Sequence, residues 1–333
     1  MTMLYAATGD SFARLEEDGG SWRASLSLQD KGVQCLAVDP LNPAIVYAGT
    51  RGNGVWRSGD GGTNWRDLAL PQPDVFSLAV SAADGALYAG TEPSHLFVSR
   101  DGGKTWRELH ALLDLPSYPE WRFPPRPWTS HVRSIAPSPH DASLLLVGIE
   151  LGGLMRSTDG GETWQDHRPG AQKDVHALAW HPNVPGRAYE AAGGGAAWSH
   201  DGGDSWAAAD AGRDRDYCWG LAVDPDDPDT WFISAAPGPG RAHNAQLAAE
   251  AVIYRWRGAG PWEALEGGLP KQPLESMPRA LATVPGQVFA GFDDGQIYVS
   301  RNGGDNWRAL AIDGDRPSRI EALAAVSNSL PSP

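Results

Sequence analysis

One eight-residue phrase recurs along this chain and limits what it can fold into. Ser58-Gly59-Asp60-Gly61-Gly62-Thr63-Asn64-Trp65 returns at Ser99 to Trp106, Ser157 to Trp164 and Ser199 to Trp206, each time around Asp-Gly-Gly. A further copy runs from Ser300 to Trp307 with Asn302 in place of the Asp, and a worn one ends at Trp22. Trp262 closes a stretch where only the Trp is kept. The tryptophans stand at 22, 65, 106, 164, 206, 262 and 307, in steps of 43, 41, 58, 42, 56 and 45. A period of about forty residues marks a propeller or a solenoid, because one such unit cannot bury its apolar face alone.

Each repeat reads as four short strands. In the second, an apolar strand opens at Val33, a turn covers Pro40 to Pro43, and a second strand runs from Ile45 to Thr50. A Gly-rich turn leads to Val55 to Ser58, and the Asp-Gly-Gly turn delivers a fourth strand from Trp65. Gly accepts the positive φ of a tight turn, while Asp and Ser/Thr oxygens accept its backbone amides. Inner strands are expected to open at Val33, Val75, Val132, Val175, Cys218 and Pro278. The segment from Ser318 to Val326 has no blade after it, whereas the chain begins with a second-type strand at Leu4. The expectation is an all-β, seven-bladed β-propeller of four-stranded antiparallel blades. Its ring is closed by the C-terminal strand pairing into the N-terminal blade. Residues 1–327 form one domain, with 328–333 as a tail. Long tryptophan steps place insertions at about 111–131 and 236–251, predicted as lid loops at one end of the ring.

The pattern S-x-D-G-G-x-[TS]-W resembles the Asp box, or BNR repeat, of sialidases, sortilin-type receptors, photosystem II assembly factors and xyloglucan-cleaving glycosidases. The resemblance implies the propeller fold. It leaves the activity open, because such boxes lie at the foot of each blade, away from the ligand end. The sialidase arginine triad with its early R-I-P motif is absent, and the two facing propellers of the xyloglucan enzymes exceed this chain.

A net charge of -14 and a pI near 5.0 argue against nucleic-acid and anionic-membrane partners, which need a basic face. No apolar run approaches a membrane span, and no secretion signal is legible at the N-terminus. Cys35 and Cys218 sit inside predicted strands and read as buried free thiols. The expected location is cytoplasmic.

Propellers bind ligands at the mouth of the axial channel. The second residue of each inner strand should face that mouth: Gln34, Phe76, Arg133, His176, Trp219, Arg279 and Glu321. Turns after the second strands add Arg51, Glu92, Glu150 and Asp293, and the loops entering the inner strands add His131 and Tyr217. Trp128 from the first insertion, and Arg241 and His243 from the second, complete the set. These positions differ from blade to blade while the Asp-box end stays monotonous, which points to an asymmetric polar pocket. His176, Glu150 and Glu321 are the candidate acids and bases. The guanidinium groups suit a carboxylate or phosphate, and the aromatic rings suit a sugar. The expected ligand is therefore small and anionic or sugar-like, with glycosidase-like hydrolase or lyase chemistry. A divalent metal on His131, His176 and Glu150 is compatible with the set, but no ligand motif fixes one. The other reading is a non-catalytic scaffold or assembly factor that binds a protein partner.

Overall fold

The computed structural model describes residues 2–124 and 129–327. Trp128 and the predicted tail 328–333 lie outside the described residues. Seven antiparallel sheets follow one another around a ring. The inner strands of blades 2 to 7 open at Val33, Val75, Val132, Val175, Tyr217 and Pro278, one residue earlier than expected in blade 6. Ala322–Ser327 pairs with Thr2–Ala7 as the inner strand of blade 1, so the two ends of the chain close the ring.

Two blades depart from four strands. Blade 1 gains a fifth, where Ile312–Gly314 runs parallel to Ser21–Ser27 and covers the outer edge before the chain turns inward. Blade 4 keeps three, with only the Arg156 to Gln165 bridge in place of a fourth. Side chains take the missing strand's bonding there. The Leu154 amide donates to His167 Nδ1 at 3.2 Å, and Asp166 accepts from the amide and hydroxyl of Ser117 in the first insertion.

Among the described residues the apolar core is divided into seven clusters, each drawn from two neighbouring blades. The cluster of Cys35, Val75, Leu78 and Phe97 joins blades 2 and 3, and that of Leu4, Phe289, Val299 and Ile320 joins blades 7 and 1. The repeated phrase is the staple of these interfaces. Ser99 Oγ accepts the Gly103 amide at 2.8 Å and donates to Asp101 Oδ1 at 2.8 Å, and Asp101 Oδ1 accepts the Lys104 and Thr105 amides at 3.0 and 2.9 Å. Those amides and the Thr105 and Ser99 hydroxyls hold the exposed Asp101 carboxyl down to about 2. The turn so fixed presses its second glycine onto the previous blade. Gly103 has φ +84°, and a Cβ there would stand 2.3 Å from Leu68 Cδ1. Trp106 then donates its indole N–H to the Leu68 carbonyl at 3.1 Å, across the same interface.

If this contact joins the blades, two glycines of equal backbone strain should respond differently to alanine. Gly52 has φ +83° with nothing within 4 Å of a Cβ, so Gly52→Ala carries the conformational cost alone, about 1 kcal/mol. Gly103→Ala adds the clash with Leu68 and should lose roughly 2–4 kcal/mol in all. Urea unfolding of both variants measures the gap, and equal losses would remove the glycine from the interface.

Candidate functional site

Five inner strands slip register after their first residue, between Val33 and Cys35, Val75 and Ser77, Val132 and Ser134, Val175 and Ala177, and Pro278 and Ala280. Blade 6 slips between Cys218 and Leu221. The residue left without a cross-strand partner is the one predicted to face the axis. A bulge re-aims such a side chain. Here it turns Gln34, Phe76, Arg133, Trp219 and Arg279 toward one cavity of about 640 Å³ at the channel mouth.

Of the other expected residues, Arg51, His131, Glu150, Tyr217, His243 and Glu321 also line this cavity. His176 stands behind the wall, its ring 4.7 Å from that of Tyr217 and 4.5 Å from that of Trp219. Glu92 is buried behind His131, with its Oε2 3.8 Å from Nδ1. Asp293 is a brace, accepting from Arg279 Nε and Arg319 Nε at 2.7 Å each. Arg241 is turned away and ties its own loop together through Glu250 Oε1 at 3.1 Å and the Ala248 carbonyl. Both insertions reach the rim, through Phe123 and Pro124 from the first and Pro239 and His243 from the second.

Asp174, Arg319, Phe123, Pro124, Leu151 and Pro239 line the cavity without having been singled out in the sequence. For Asp174 a signal existed: an acidic residue directly precedes the inner strand at Asp74 as well. Gly193 marks the same spot, since a Cβ there would lie 1.8 Å from Asp174 Oδ2.

The wall fixes the protonation of its polar groups. Arg279 Nη1 donates to His243 Nδ1 at 3.2 Å, and a guanidinium only donates, so Nδ1 is the acceptor nitrogen. Desolvation and then the Arg279 charge lower the pKa of His243 and keep it neutral. Its Nε2–H therefore donates to Tyr217 Oη at 2.8 Å, which leaves the phenol proton to point elsewhere. Burial, followed by the nearby Glu150 and Asp174 charges, raises the Tyr217 pKa, so the phenol stays a donor. Glu150 is the opposite case. Burial pushes its carboxyl up, but the His131 hydrogen bond at 2.7 Å and the Arg133 charge prevail, and it sits well below the usual carboxylate range. His131 itself is stacked on Phe76 with ring centroids 4.2 Å apart.

The cations are unequally engaged. Arg279 and Arg319 are neutralised by Asp293 and Glu321. The Arg51 side chain makes one hydrogen bond among the described residues, to Gln34 Oε1 at 3.2 Å. Arg133 lies 4.5 Å over the Trp219 ring and makes no hydrogen bond among the described residues. Its nearest carboxylate oxygen, Glu150 Oε2, is 3.7 Å from Nε.

The loop carrying Asp174 rests on a buried acid. Glu190, fully buried, accepts the Gln172 amide at 3.0 Å. Desolvation outweighs that bond and raises its carboxyl from 4.5 to about 8. Between those values the folded chain holds a proton that the unfolded chain has released, so stability falls as pH rises. Glu190→Gln removes the penalty. Its melting temperature should exceed the parent's at pH 8, by at least about 1 kcal/mol of stability, and meet it near pH 4.5. Parallel melting curves across that range would contradict a protonated Glu190.

The profile of the BNR/Asp-box repeat matches residues 97–108 and 155–166. A comparison with curated protein sequences gave no match. Among solved structures, the chain is similar to the GH74 xyloglucanase from Xanthomonas campestris, at 18% identity and a TM-score of 0.65, over 92% of this chain and 46% of that one. It is also similar to YCF48 from Cyanidioschyzon merolae, at 13% identity and 0.58, over 86% of each chain. A structure of YCF48 bound to D1 peptide aligns at 16% identity and 0.57, over 83% of this chain and 81% of that one. The chain spans 39% to 46% of the length of the GH74 enzymes it matches. With its boxes, its blade order and its closed ring, this chain is a seven-bladed β-propeller built on BNR/Asp-box repeats.

Proposed function

We propose that the axial cavity binds a small sugar acid and acts on it as a lyase or hydrolase in the cytoplasm. The observation that carries this reading is Arg133. Its side chain is about three-quarters buried, lies over Trp219 and stands 3.7 Å from Glu150 Oε2, with no hydrogen-bonding partner among the described residues. A bidentate carboxylate from a ligand supplies the hydrogen bonds that this guanidinium lacks. Arg51 offers a second set of donors at the rim, and Trp219, Tyr217, Phe76 and Phe123 offer apolar faces to a sugar ring. The unpaired, buried thiols of Cys35 and Cys218 support the assignment to a reducing compartment.

For turnover, elimination suits the protonation states best. Glu150 and Glu321, each beside a guanidinium, are the proton acceptors, and the Tyr217 phenol is the donor. A carboxylate takes the proton from the carbon next to the bound acid group. The C–O bond to the leaving group breaks as C=C forms, and the departing oxygen takes the phenol proton. Glu150, kept ionised, is unsuited to the protonated-acid role that a glycosidase requires.

The test is calorimetric titration of the full chain with uronic acids and uronate oligosaccharides in the presence of a chelator, followed by ultraviolet detection of the new double bond. Arg133→Ala should weaken binding at least about tenfold, and Tyr217→Phe should keep binding while slowing turnover by about 100-fold. Binding without turnover would favour a non-catalytic receptor. Failure of every sugar acid to bind, or unchanged affinity in Arg133→Ala, would leave the protein-binding scaffold as the better reading, a role that the peptide-bound YCF48 structure parallels.

A further inference from the structure

We infer that Glu150, Asp174 and His176 form a site for a divalent first-row transition metal at the floor of the cavity. One ligand atom from each of the three lies within 4.8 Å of the others. Acidic groups converge on many surfaces without binding an ion, so the histidine decides the matter. His176 Nδ1 is 2.6 Å from the Cys218 carbonyl, an acceptor only, so Nδ1 carries the hydrogen. In the neutral ring the lone pair is then on Nε2. That nitrogen is buried, has no hydrogen-bond partner among the described residues, and lies 3.5 Å from Asp174 Oδ1. A backbone carbonyl that fixes the far nitrogen of an imidazole is the arrangement that orients metal-binding histidines.

The surroundings suit an ion. The His176 side chain is sealed from solvent and braced by Tyr217 and Trp219, so it cannot swing away. The described bonds of Glu150 go through Oε2, to His131 and toward Arg133, which leaves Oε1 for a ligand. Asp174, half-buried, sits in the space that Gly193 leaves open and is the ligand with room to move. Bonds of about 2.1 Å in a tetrahedral site bring ligand atoms to about 3.4 Å of each other, a small rotation of that side chain. Two carboxylates match the charge of a divalent ion. One imidazole among them favours zinc, manganese or iron over magnesium and calcium, which prefer oxygen alone. Glu150 and Asp174 both line the cavity, so the open coordination position faces the ligand space.

This site goes beyond the sugar-acid reading and is measured without any sugar acid. A seated ion engages Glu150 and leaves Glu321 as the proton acceptor. The experiment is titration of the chelator-treated full chain with Zn²⁺, Mn²⁺ and Mg²⁺, together with visible spectroscopy of the Co²⁺ form. We expect about one Zn²⁺ or Mn²⁺ per chain, much weaker Mg²⁺, and a Co²⁺ spectrum that is lost in Asp174→Asn. Asp174→Asn should bind Zn²⁺ at least about tenfold more weakly. It is the principal variant because Asp174 is half-buried, and circular dichroism is the check that it folds. His176→Ala should abolish binding in whatever fraction folds. Unchanged Zn²⁺ affinity in Asp174→Asn would overturn the site, as would no uptake by the parent chain. So would loss of binding in Asp226→Asn, which alters the exposed acidic turn of blade 6 instead.

Discussion

The structure depends on the contact between each blade and the one before it. A four-stranded sheet this small has no core of its own, and the apolar residues lie between sheets rather than within them. The Asp-Gly-Gly turn sets that contact, since its second glycine lies against Phe12, Leu68, Leu109, Leu146 or Leu265 of the preceding blade. The Ser and the Asp (or Asn302) of the turn bond within it, while its outer residues also take bonds from the preceding blade, as Thr63 does from Arg14, the Gly202 carbonyl from Arg156 and Asp305 from Arg255. A rigid local turn pressed on a neighbouring side chain is a unit that can be repeated until the ring closes. Closure then falls to Ala322–Ser327, which pairs with the N-terminal strand along its whole length.

The opposite end of the ring is under other rules. Inner strands crowd toward the axis, and each of those in blades 2 to 7 yields by slipping register near its start. The slip frees a side chain in each of these blades and turns it to the mouth in all but blade 5, where His176 stands behind the wall. The blades therefore present a ring of positions at which a residue can change without disturbing a ladder, although Trp219 also packs into the core between blades 6 and 7. Gln34, Phe76, Arg133, Trp219 and Arg279 fill them, and their variety costs the fold little.

What those positions do is settled by pairing. Four arginines line the cavity; Asp293 and Glu321 engage Arg279 and Arg319, Glu150 stands 3.7 Å from Arg133, and Arg51 has no carboxylate within 4 Å among the described residues. Likewise Glu150 is ionised because His131 and Arg133 stand beside it, and Tyr217 is protonated because burial and two carboxylates surround it. A neutral His243, between Arg279 and the phenol, passes the consequence of one pairing to the next.

The amino-acid sequence by itself determined the ring. Its signals are local: a turn written in eight residues, a forty-residue step, and the inner strands of blades 2 to 7, whose starts could be read within one residue. Most residues that line the cavity were legible too, because the same repeat register places them at the channel mouth. The fifth strand of blade 1 and the missing one of blade 4 were not, since they arise from contacts of Trp22 with Ala311 and of Asp166 with Ser117, far apart in the chain. Nor could the sequence separate Arg133 from Arg241, or show that His176 stands behind the wall with Asp174 in front of it. Those distinctions rest on which partner each charged group meets across the axis, and only closing the ring brings the blades that supply them together.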